Sequence, residues 1–240
     1  MLLLAAPVLG VIALACMPML PLDAGDWHAI GLSLFGGLLS LALIALLGTP
    51  LAQMLAAPRR PGWPGRLAGL VEAMVLLPML TPTLAMGIVL AATFGPNTAL
   101  GLAAQHLGLT LTNSFAAFIL AGVYAALPVY VVGARAALAD VPAALTDVAR
   151  TLGDRPGRLF FRITLPLARR GIAAALALAW VRAVGEFGIV LIIAYYPQGL
   201  PVRVWVDFQD AGLPAVFPLV VAFLVLALPL PLVLGLRARR

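Results

Sequence analysis

Few side chains in this sequence are able to do covalent chemistry. The chain contains no lysine, so it lacks the lysine with which a P-loop holds the phosphates of ATP. The two histidines, His28 and His106, lie far apart and share no metal-ligand spacing, and Cys16 stands alone in an apolar run. The three serines lie outside any G-x-S-x-G pattern. The sequence therefore predicts neither catalysis nor a metal site.

Arg182 and Glu186 are the residues best placed to act on a charged ligand. They are four residues apart in an apolar run, so on a helix they would share one face and pair. Ionisable groups in such a run are costly and normally face the interior of a helix bundle, where they find partners. A structural ion pair, a gate and a polar lining of a transport path are the open interpretations.

The elements that position this pair are expected to be membrane helices. Hydrophobic residues make up 63% of the chain and charged residues 10%, which excludes an ordinary soluble domain. The first apolar run lacks a basic n-region, so we expect a retained span and not a cleaved signal peptide. One transmembrane domain over residues 1–240 is predicted, all-α, with six spans: about 2–20, 30–55, 70–94, 114–138, 171–194 and 214–236.

The third predicted span is interrupted at Thr81, Pro82 and Thr83. Together with Pro78, Pro82 removes backbone hydrogen bonds and must kink the helix. Such backbone is tolerated at membrane depth only where it is buried in protein or faces a cavity. The kink is therefore a candidate element of a transport path, and a packing kink far from any substrate is the alternative.

The arginines predict the orientation of the chain. All 15 basic residues are arginines, and 13 of them fall on one side of the predicted spans: in the loop near Arg59, in residues 135–170 and at the C terminus. Only Arg203 lies in the opposite loops, which also hold four aspartates. By the positive-inside rule the arginine-rich side is cytoplasmic, as are both termini. The net charge of +6 thus indicates orientation and contact with lipid headgroups, not nucleic-acid binding.

The longest polar stretch, residues 139–170, is called the polar interval here. It predicts two short helices: the first ends at Gly153, and the second begins near Asp154 and Pro156. Each helix has an apolar side at helical spacing. These sides comprise Val141, Leu145, Val148 and Leu152 in the first helix, and Leu159, Phe160, Ile163 and Leu167 in the second.

The polar interval resembles the coupling motif of ABC transporter permeases of the binding-protein-dependent import type. That motif is Glu-Ala-Ala, three residues, Gly, nine residues, then Ile-x-Leu-Pro. The matching residues here are Asp147, Val148, Ala149, Gly153, Ile163, Thr164, Leu165 and Pro166. Asp147 replaces Glu and Val148 replaces Ala, whereas the glycine and the Ile-x-Leu-Pro match fully. A basic loop that only sets topology is the alternative interpretation.

The resemblance implies the fold of a type I ABC importer permease, with six transmembrane helices and a cytoplasmic coupling loop. It implies a non-catalytic subunit of the bacterial or archaeal cytoplasmic membrane, with ATP and Mg bound by a separate ABC ATPase dimer. A second permease copy, expected to be identical, and an extracytoplasmic substrate-binding protein complete the assembly. Pro166 is expected to end the second helix before the fifth span begins. The residues implied in coupling are Asp147, Ala149, Gly153, Ile163, Leu165 and Pro166.

Three stretches are similar to permeases for oxyanions. Gly185 to Gly188, with the sequence GEFG, resembles a stretch of sulfate and molybdate or tungstate permeases. The Leu200-Pro201 loop and the run from Leu77 to Thr83 resemble the molybdate/tungstate group, although a proline often stands where this chain has Thr81. The implied substrate is molybdate or tungstate, and the implied path or gate residues are Thr81, Pro82, Thr83, Arg182 and Glu186, with Glu186 in a structural or gating role.

Three other functions stay open at this point. An ABC importer for sulfate, an iron chelate, a polyamine or thiamine would keep the coupling motif and change the path. A secondary transporter would need coupling-ion ligands and inverted repeats, for which one Arg-Glu pair is thin support. An intramembrane enzyme would need a catalytic constellation that the serines, histidines and aspartates do not supply.

Overall fold

The computed structural model describes residue 10 and residues 21–56 and 65–238. Within those ranges all regular structure is helical. The helices are α1 (Ala24–Ala56), α2 (Gly65–Leu80), α3 (Thr83–Phe94), α4 (Ala99–His106), α5 (Phe115–Ala139), α6 (Ala143–Thr151), α7 (Pro156–Leu159), α8 (Leu165–Val184), α9 (Gly188–Ile193), α10 (Leu200–Ala211), α11 (Leu213–Ala227) and α12 (Pro229–Ala238). A π-helical turn, Phe160–Thr164, joins α7 to α8.

Among the described residues, four helical stretches are long and apolar enough to cross a membrane, or five if a bent pair counts as one span. They are Ala24–Ala56, Phe115–Ala139, Pro156–Val184 and Leu213–Leu234, with Gly69–Leu80 and Thr83–Phe94 as the pair. If the bent pair counts as one, these overlap five of the six predicted spans. Apart from residue 10, the first predicted span, 2–20, lies outside the described ranges, so the count of six stays a prediction.

Three helices, α1, α5 and α8, form the centre of the bundle. Small residues let them approach closely: a Cβ at Gly48 of α1 would lie 2.5 Å from the ring of Tyr130 in α5, and one at Gly37 would lie 3.0 Å from Val184 in α8. Ser40 donates a hydrogen bond to the carbonyl of Ile119 at 3.0 Å. These contacts show that α1 and α5 run parallel to each other and that α8 runs antiparallel to both.

The bundle therefore has two distinct ends. The Asp23 end contains the beginnings of α1 and α5, and the other end contains their last residues, the start of α8 and the polar interval. Because Val184 packs on Gly37, near the middle of α1, α8 stops at mid-depth and not at the surface. The chain then breaks, and α9 continues as a separate short helix.

Side chains cap the starts of α1 and α5. Ser114 accepts a hydrogen bond from the N–H of Ala117 at 3.0 Å and caps α5. At the start of α1, the N–H of Asp26 donates to the carboxylate of Asp23 at 2.7 Å, and the N–H of Asp23 donates back to Asp26 at 2.9 Å. This reciprocal pair satisfies two donors at the helix start, as in a capping box.

Several boundaries differ from the sequence prediction. The fifth span was predicted at 171–194, whereas the continuous helix is Pro156–Val184 and the chain breaks after it. The third span is not one kinked helix, because the chain bends by 117° between α2 and α3. Stretches predicted as loops contain helices α4 and α10. For the third and fifth spans, hydropathy located the apolar run, and contacts with other helices determine where it bends or ends.

Candidate functional site

The first half of the polar interval is α6 with a glycine stop. Gly153 has a φ of +85°, a conformation that costs an L-residue with a side chain about 1–2 kcal/mol. Its N–H donates to the carbonyl of Arg150, and the N–H of Asp154 donates to the carbonyl of Ala149, both at 3.0 Å. These two bonds make a Schellman motif, which ends the helix and reverses the chain. The predicted stop at Gly153 is confirmed.

An apolar stripe on α6 faces away from the protein. Leu145, Val148 and Leu152, here called the apolar stripe, are all exposed, and Leu152 is 82% exposed. The opposite side is anchored by Ala149, which is 5% exposed. Exposed apolar side chains grouped at the end of a bundle, away from its lipid-like middle, are typical of a protein contact site. The helical spacing predicted for these three residues is confirmed, whereas Val141, predicted on the same side, lies before α6 and is half-buried against the bundle.

The second half of the polar interval is anchored more deeply. Leu159 and Phe160 are buried, and Ile163 and Leu165 are half-buried. Leu167, predicted on the same apolar side, is exposed instead. The segment from α7 onward is therefore fixed to the bundle, while the apolar stripe on α6 stays accessible.

Pro166 does not end this segment, which corrects the sequence expectation. It lies in the first turn of α8, inside the continuous helix Pro156–Val184, and is exposed. A proline at that position removes a hydrogen bond to the preceding turn. The π-helical turn Phe160–Thr164 stands just before it, with the N–H of Leu165 bonded to the carbonyl of Phe160. The second half of the polar interval, from Pro156, is thus joined to the span as one rod.

Asp147 pairs locally with Arg150 at 3.0 Å, and about two thirds of each side chain is exposed. Asp154 and Arg158 make a second local pair at 3.8 Å. Exposed pairs of this kind contribute roughly 0–1 kcal/mol. The charges on this surface therefore add little to stability and remain available to a partner.

The predicted pair Arg182 and Glu186 is confirmed, although the two residues do not share one helix. Arg182 lies in the last turn of α8, and Glu186 lies in the break before α9. The guanidinium Nη1 donates to Oε2 of Glu186, and Oε1 of Glu186 accepts the N–H of Ile189 at 2.8 Å. Glu186 is 1% exposed, whereas the side chain of Arg182 is 33% exposed. One buried carboxylate thus joins the two sides of the break.

Arg182 lines a shallow depression of about 350 Å³. Its other lining residues are apolar or small: Val129, Leu178, Val181 and Gly185. The surface of the depression is almost entirely apolar, so Arg182 contributes mainly the aliphatic part of its side chain to it. Arg182 supplies the only charge among these five residues.

Thr81, Pro82 and Thr83 form the bend between α2 and α3. The hydroxyl of Thr81 donates to the carbonyl of Leu77 at 2.8 Å. Thr83 packs against Gly188, because a Cβ added at Gly188 would clash with the Thr83 hydroxyl. The structure therefore brings Thr83 beside the break that holds Glu186, while the Thr81 hydroxyl is used within its own helix.

Sequence reasoning missed a second ionic cluster, at the Asp23 end. Arg203 of α10 donates from Nη2 to Asp23 and from Nε to Asp26, both at 2.9 Å, and lies 3.2 Å from Asp207. The backbone N–H of Asp26 is the main cause that lowers the pKa of Asp23, and burial raises the pKa of Asp207. The sequence did contain a signal for this cluster, because Arg203 and the three aspartates were all predicted in the loops opposite the arginine-rich side.

A further ion pair joins α2 to α5. Arg135 donates from Nη1 to Glu72, and both side chains are about two-fifths exposed. Hydropathy gives no sign of this pair, because the two residues are 63 positions apart. No group of three or more metal-ligating side chains occurs within the described ranges.

Comparison with known sequences identifies one family model, described as binding-protein-dependent transport system inner membrane component, which matches residues 48–240. A probable molybdenum ABC transporter permease protein of Haloferax volcanii is 40% identical over 187 residues, covering 78% of this chain and 66% of that protein. The molybdenum transport system permease protein ModB of Azotobacter vinelandii is 38% identical over 72% of this chain and 75% of its own length. The molybdate/tungstate transport system permease protein WtpB of Thermococcus kodakarensis is 35% identical over 78% and 69%. This chain thus spans about two thirds to three quarters of the length of these relatives.

Comparison with solved structures gives the same architecture. A bacterial ABC transporter that imports the acidic polysaccharide alginate matches with a TM-score of 0.75, at 18% identity, over 99% of this chain and 90% of that one. The MetNI methionine ABC transporter in an inward-facing conformation matches with a TM-score of 0.65, at 18% identity, over 90% and 93%. At this level of identity the likeness shows a shared fold.

Proposed function

Because the chain belongs to the family of binding-protein-dependent transport system inner membrane components, we propose that it is the permease subunit of an ATP-driven importer for an oxyanion, molybdate or tungstate. The three relatives named above are molybdenum or molybdate/tungstate permeases, which supports this substrate. Arg182, a partly exposed cation at mid-depth, supports an anionic cargo. The chain supplies the membrane path, and hydrolysis of ATP belongs to a separate subunit.

The observation that carries this proposal is the exposed apolar stripe beside the Gly153 stop. A short helix with an accessible apolar side fits a groove on a partner protein, as in helix-in-groove recognition. The partner is an ABC ATPase dimer that binds ATP and Mg. Because the second half of the polar interval, from Pro156, continues into α8 as one rod, a movement of the ATPase that reaches this half through α6 would pass to the span.

The path is proposed to lie between two copies of the chain. Arg182 faces a depression that is open to one side, and a cation at membrane depth needs a protein or aqueous surrounding instead of lipid. A second copy would cover the depression and give the path two walls. An extracytoplasmic binding protein would deliver the anion at the Asp23 end. Thr81, Pro82, Thr83, Arg182 and Glu186 are proposed to line or gate this path.

The test uses the permease co-expressed with the ABC ATPase encoded by a neighbouring gene. Gly153→Val forces a β-branched residue into positive φ and is expected to disrupt the stop, so uptake of molybdate should fall at least about tenfold. Gly108→Val is the matched control. Gly108 has a φ of +78° and closes α4 with the same pair of hydrogen bonds, but it lies at the opposite end of the bundle.

The expected result is loss of ATPase association and uptake for Gly153→Val, with normal membrane insertion, and retention of both for Gly108→Val. Equal behaviour of the two variants would contradict the coupling role. Uptake of molybdate by the wild-type chain without any ATPase would instead favour a secondary transporter.

A further inference from the structure

We propose that the carboxylate of Glu186 is an internal counter-anion, which positions Arg182 and prevents its guanidinium from retaining the transported oxyanion. This inference rests on the proposed function, and it assigns Glu186 a role in release of the cargo and not in binding it. Glu186 acts through Arg182, so it is a positioning residue.

The first support is the way in which the carboxylate is held. Glu186 is 1% exposed, and each of its oxygens accepts a hydrogen bond from a different helix. Oε2 accepts from Arg182 at the end of α8, and Oε1 accepts from the N–H of Ile189 in the first turn of α9. A carboxylate fixed at both oxygens cannot rotate away from the guanidinium on its own, so the pairing lasts as long as α8 and α9 keep their relative position.

The second support is the exposure of the guanidinium. Arginine carries five N–H donors, and its side chain here is 33% exposed at the rim of the depression. The depression itself is almost entirely apolar, so an anion would meet the guanidinium at its rim, where the positive charge is already balanced by Glu186. The remaining lining residues are uncharged, so this balance sets the net charge that the anion meets.

Release of the transported anion is easier from a neutralised guanidinium than from an unpaired one. A path must bind its cargo well enough to admit it and weakly enough to release it. An unpaired guanidinium in a site of low dielectric constant would attract a dianion strongly, and dissociation would become slow. The neutral pair keeps the geometry of an anion site while it reduces the charge that would trap the ion.

The third support is mechanical. Gly188 of α9 packs directly on Thr83, and a Cβ at Gly87 of α3 would lie 2.9 Å from Ile192 of α9. Through Glu186, the guanidinium is therefore linked to α9 and to the bend between α2 and α3. A movement of α9 relative to α8 would change the distance between the carboxylate and Arg182. The affinity of Arg182 for the anion would then differ between the two arrangements.

The experiment compares Glu186→Gln with the wild type in the permease–ATPase complex. Glutamine keeps the size of the side chain and an acceptor for the Ile189 N–H but removes the negative charge. Radiolabelled molybdate binding is measured on the complex in nanodiscs, and maximal uptake is measured in proteoliposomes with saturating loaded binding protein. We expect Glu186→Gln to bind molybdate about tenfold more tightly and to transport it more slowly.

Glu72→Gln is the matched control, because it makes the same change in a second Arg–Glu pair, with Arg135, away from the depression. Its molybdate affinity should equal that of the wild type. Arg182→Gln combined with Glu186→Gln removes both charges and leaves no unpaired buried ion. This double variant should bind molybdate more weakly than the wild type, and it tests the inference even if Glu186→Gln does not fold.

Unchanged affinity in both Glu186→Gln and the double variant would overturn the counter-anion role while leaving the importer intact. A wild-type complex that shows no ATP-dependent uptake of molybdate or tungstate would overturn the proposed function, and the inference with it. If Glu186→Gln binds molybdate more tightly and takes it up more slowly, and the control and the double variant do not, the result supports both the counter-anion role and the importer function.

Discussion

Gly153 and Leu152 show how two neighbouring residues create an accessible contact surface. The positive φ of Gly153 reverses the chain, and this reversal leaves Leu152 at the tip of α6 with 82% of its surface exposed. Leu107 stands at the equivalent position before Gly108 and is 80% exposed. The same local motif therefore occurs twice in the described chain, once at each end of the bundle.

This duplication gives a residue-scale prediction. Leu152→Ala should weaken association with the ATPase at least about tenfold, because burial of a leucine side chain contributes about 1.5–3 kcal/mol. Leu107→Ala should leave association unchanged. Titration of each purified permease with the ATPase, followed by stimulated ATP hydrolysis, measures both. Equal affinities would show that the apolar stripe is not the contact.

At the scale of elements, glycines and alanines determine how closely α1, α5 and α8 approach. Tyr130 is fully buried beside Gly48, and its hydroxyl lies 2.6 Å from that of Thr49. The ring is therefore held in place and cannot move away from a larger neighbour. By contrast, a Cβ at Gly31 of the same helix would meet no atom within 4 Å.

The two glycines make an element-scale prediction. Gly48→Ala should destabilise the protein by about 1–3 kcal/mol, because the new methyl group overpacks a rigid contact. Gly31→Ala should be neutral or stabilising by up to about 1 kcal/mol, because alanine is the better helix former. Thermal unfolding in detergent distinguishes them. A Gly48→Ala variant as stable as the Gly31→Ala variant would show that α1 and α5 are not closely packed there.

At the scale of the whole molecule, the two ends of the bundle differ in charge. The polar interval contains six arginines, whereas Arg203 at the Asp23 end is enclosed by Asp23, Asp26 and Asp207. The structure places these two groups at opposite ends through the pairing of α1, α5 and α8. An asymmetry of this kind agrees with a cytoplasmic polar interval under the positive-inside rule.

Orientation is tested with single cysteines in a Cys16→Ser background. Arg155 in the polar interval and Gln209 in α10 are both exposed. In intact cells, Gln209→Cys should react with a membrane-impermeant maleimide, and Arg155→Cys should react only after permeabilisation. The reverse pattern would place the polar interval outside the cell and would contradict coupling to a cytoplasmic ATPase.

Features that depend on neighbouring residues could be predicted from the amino-acid sequence. Apolar runs located the spans, Gly153 located the end of α6, and Pro156 located the start of the next helix, because hydropathy and capping act over a few positions. The i, i+4 spacing also predicted the Arg182–Glu186 pair correctly. The coupling roles of the polar interval and the path roles of this pair remain proposals.

Where the spans bend and which charges pair depends on contacts between distant parts of the chain. The break after Val184, the burial of Glu186 and the 117° turn before Thr83 depend on which helix packs against which. Asp26 and Arg203 are 177 residues apart, and no local pattern relates them. Pro166 was expected to end a helix, but the π-helical turn and the surrounding bundle hold it inside one, because packing along the whole rod outweighs the single hydrogen bond that proline removes.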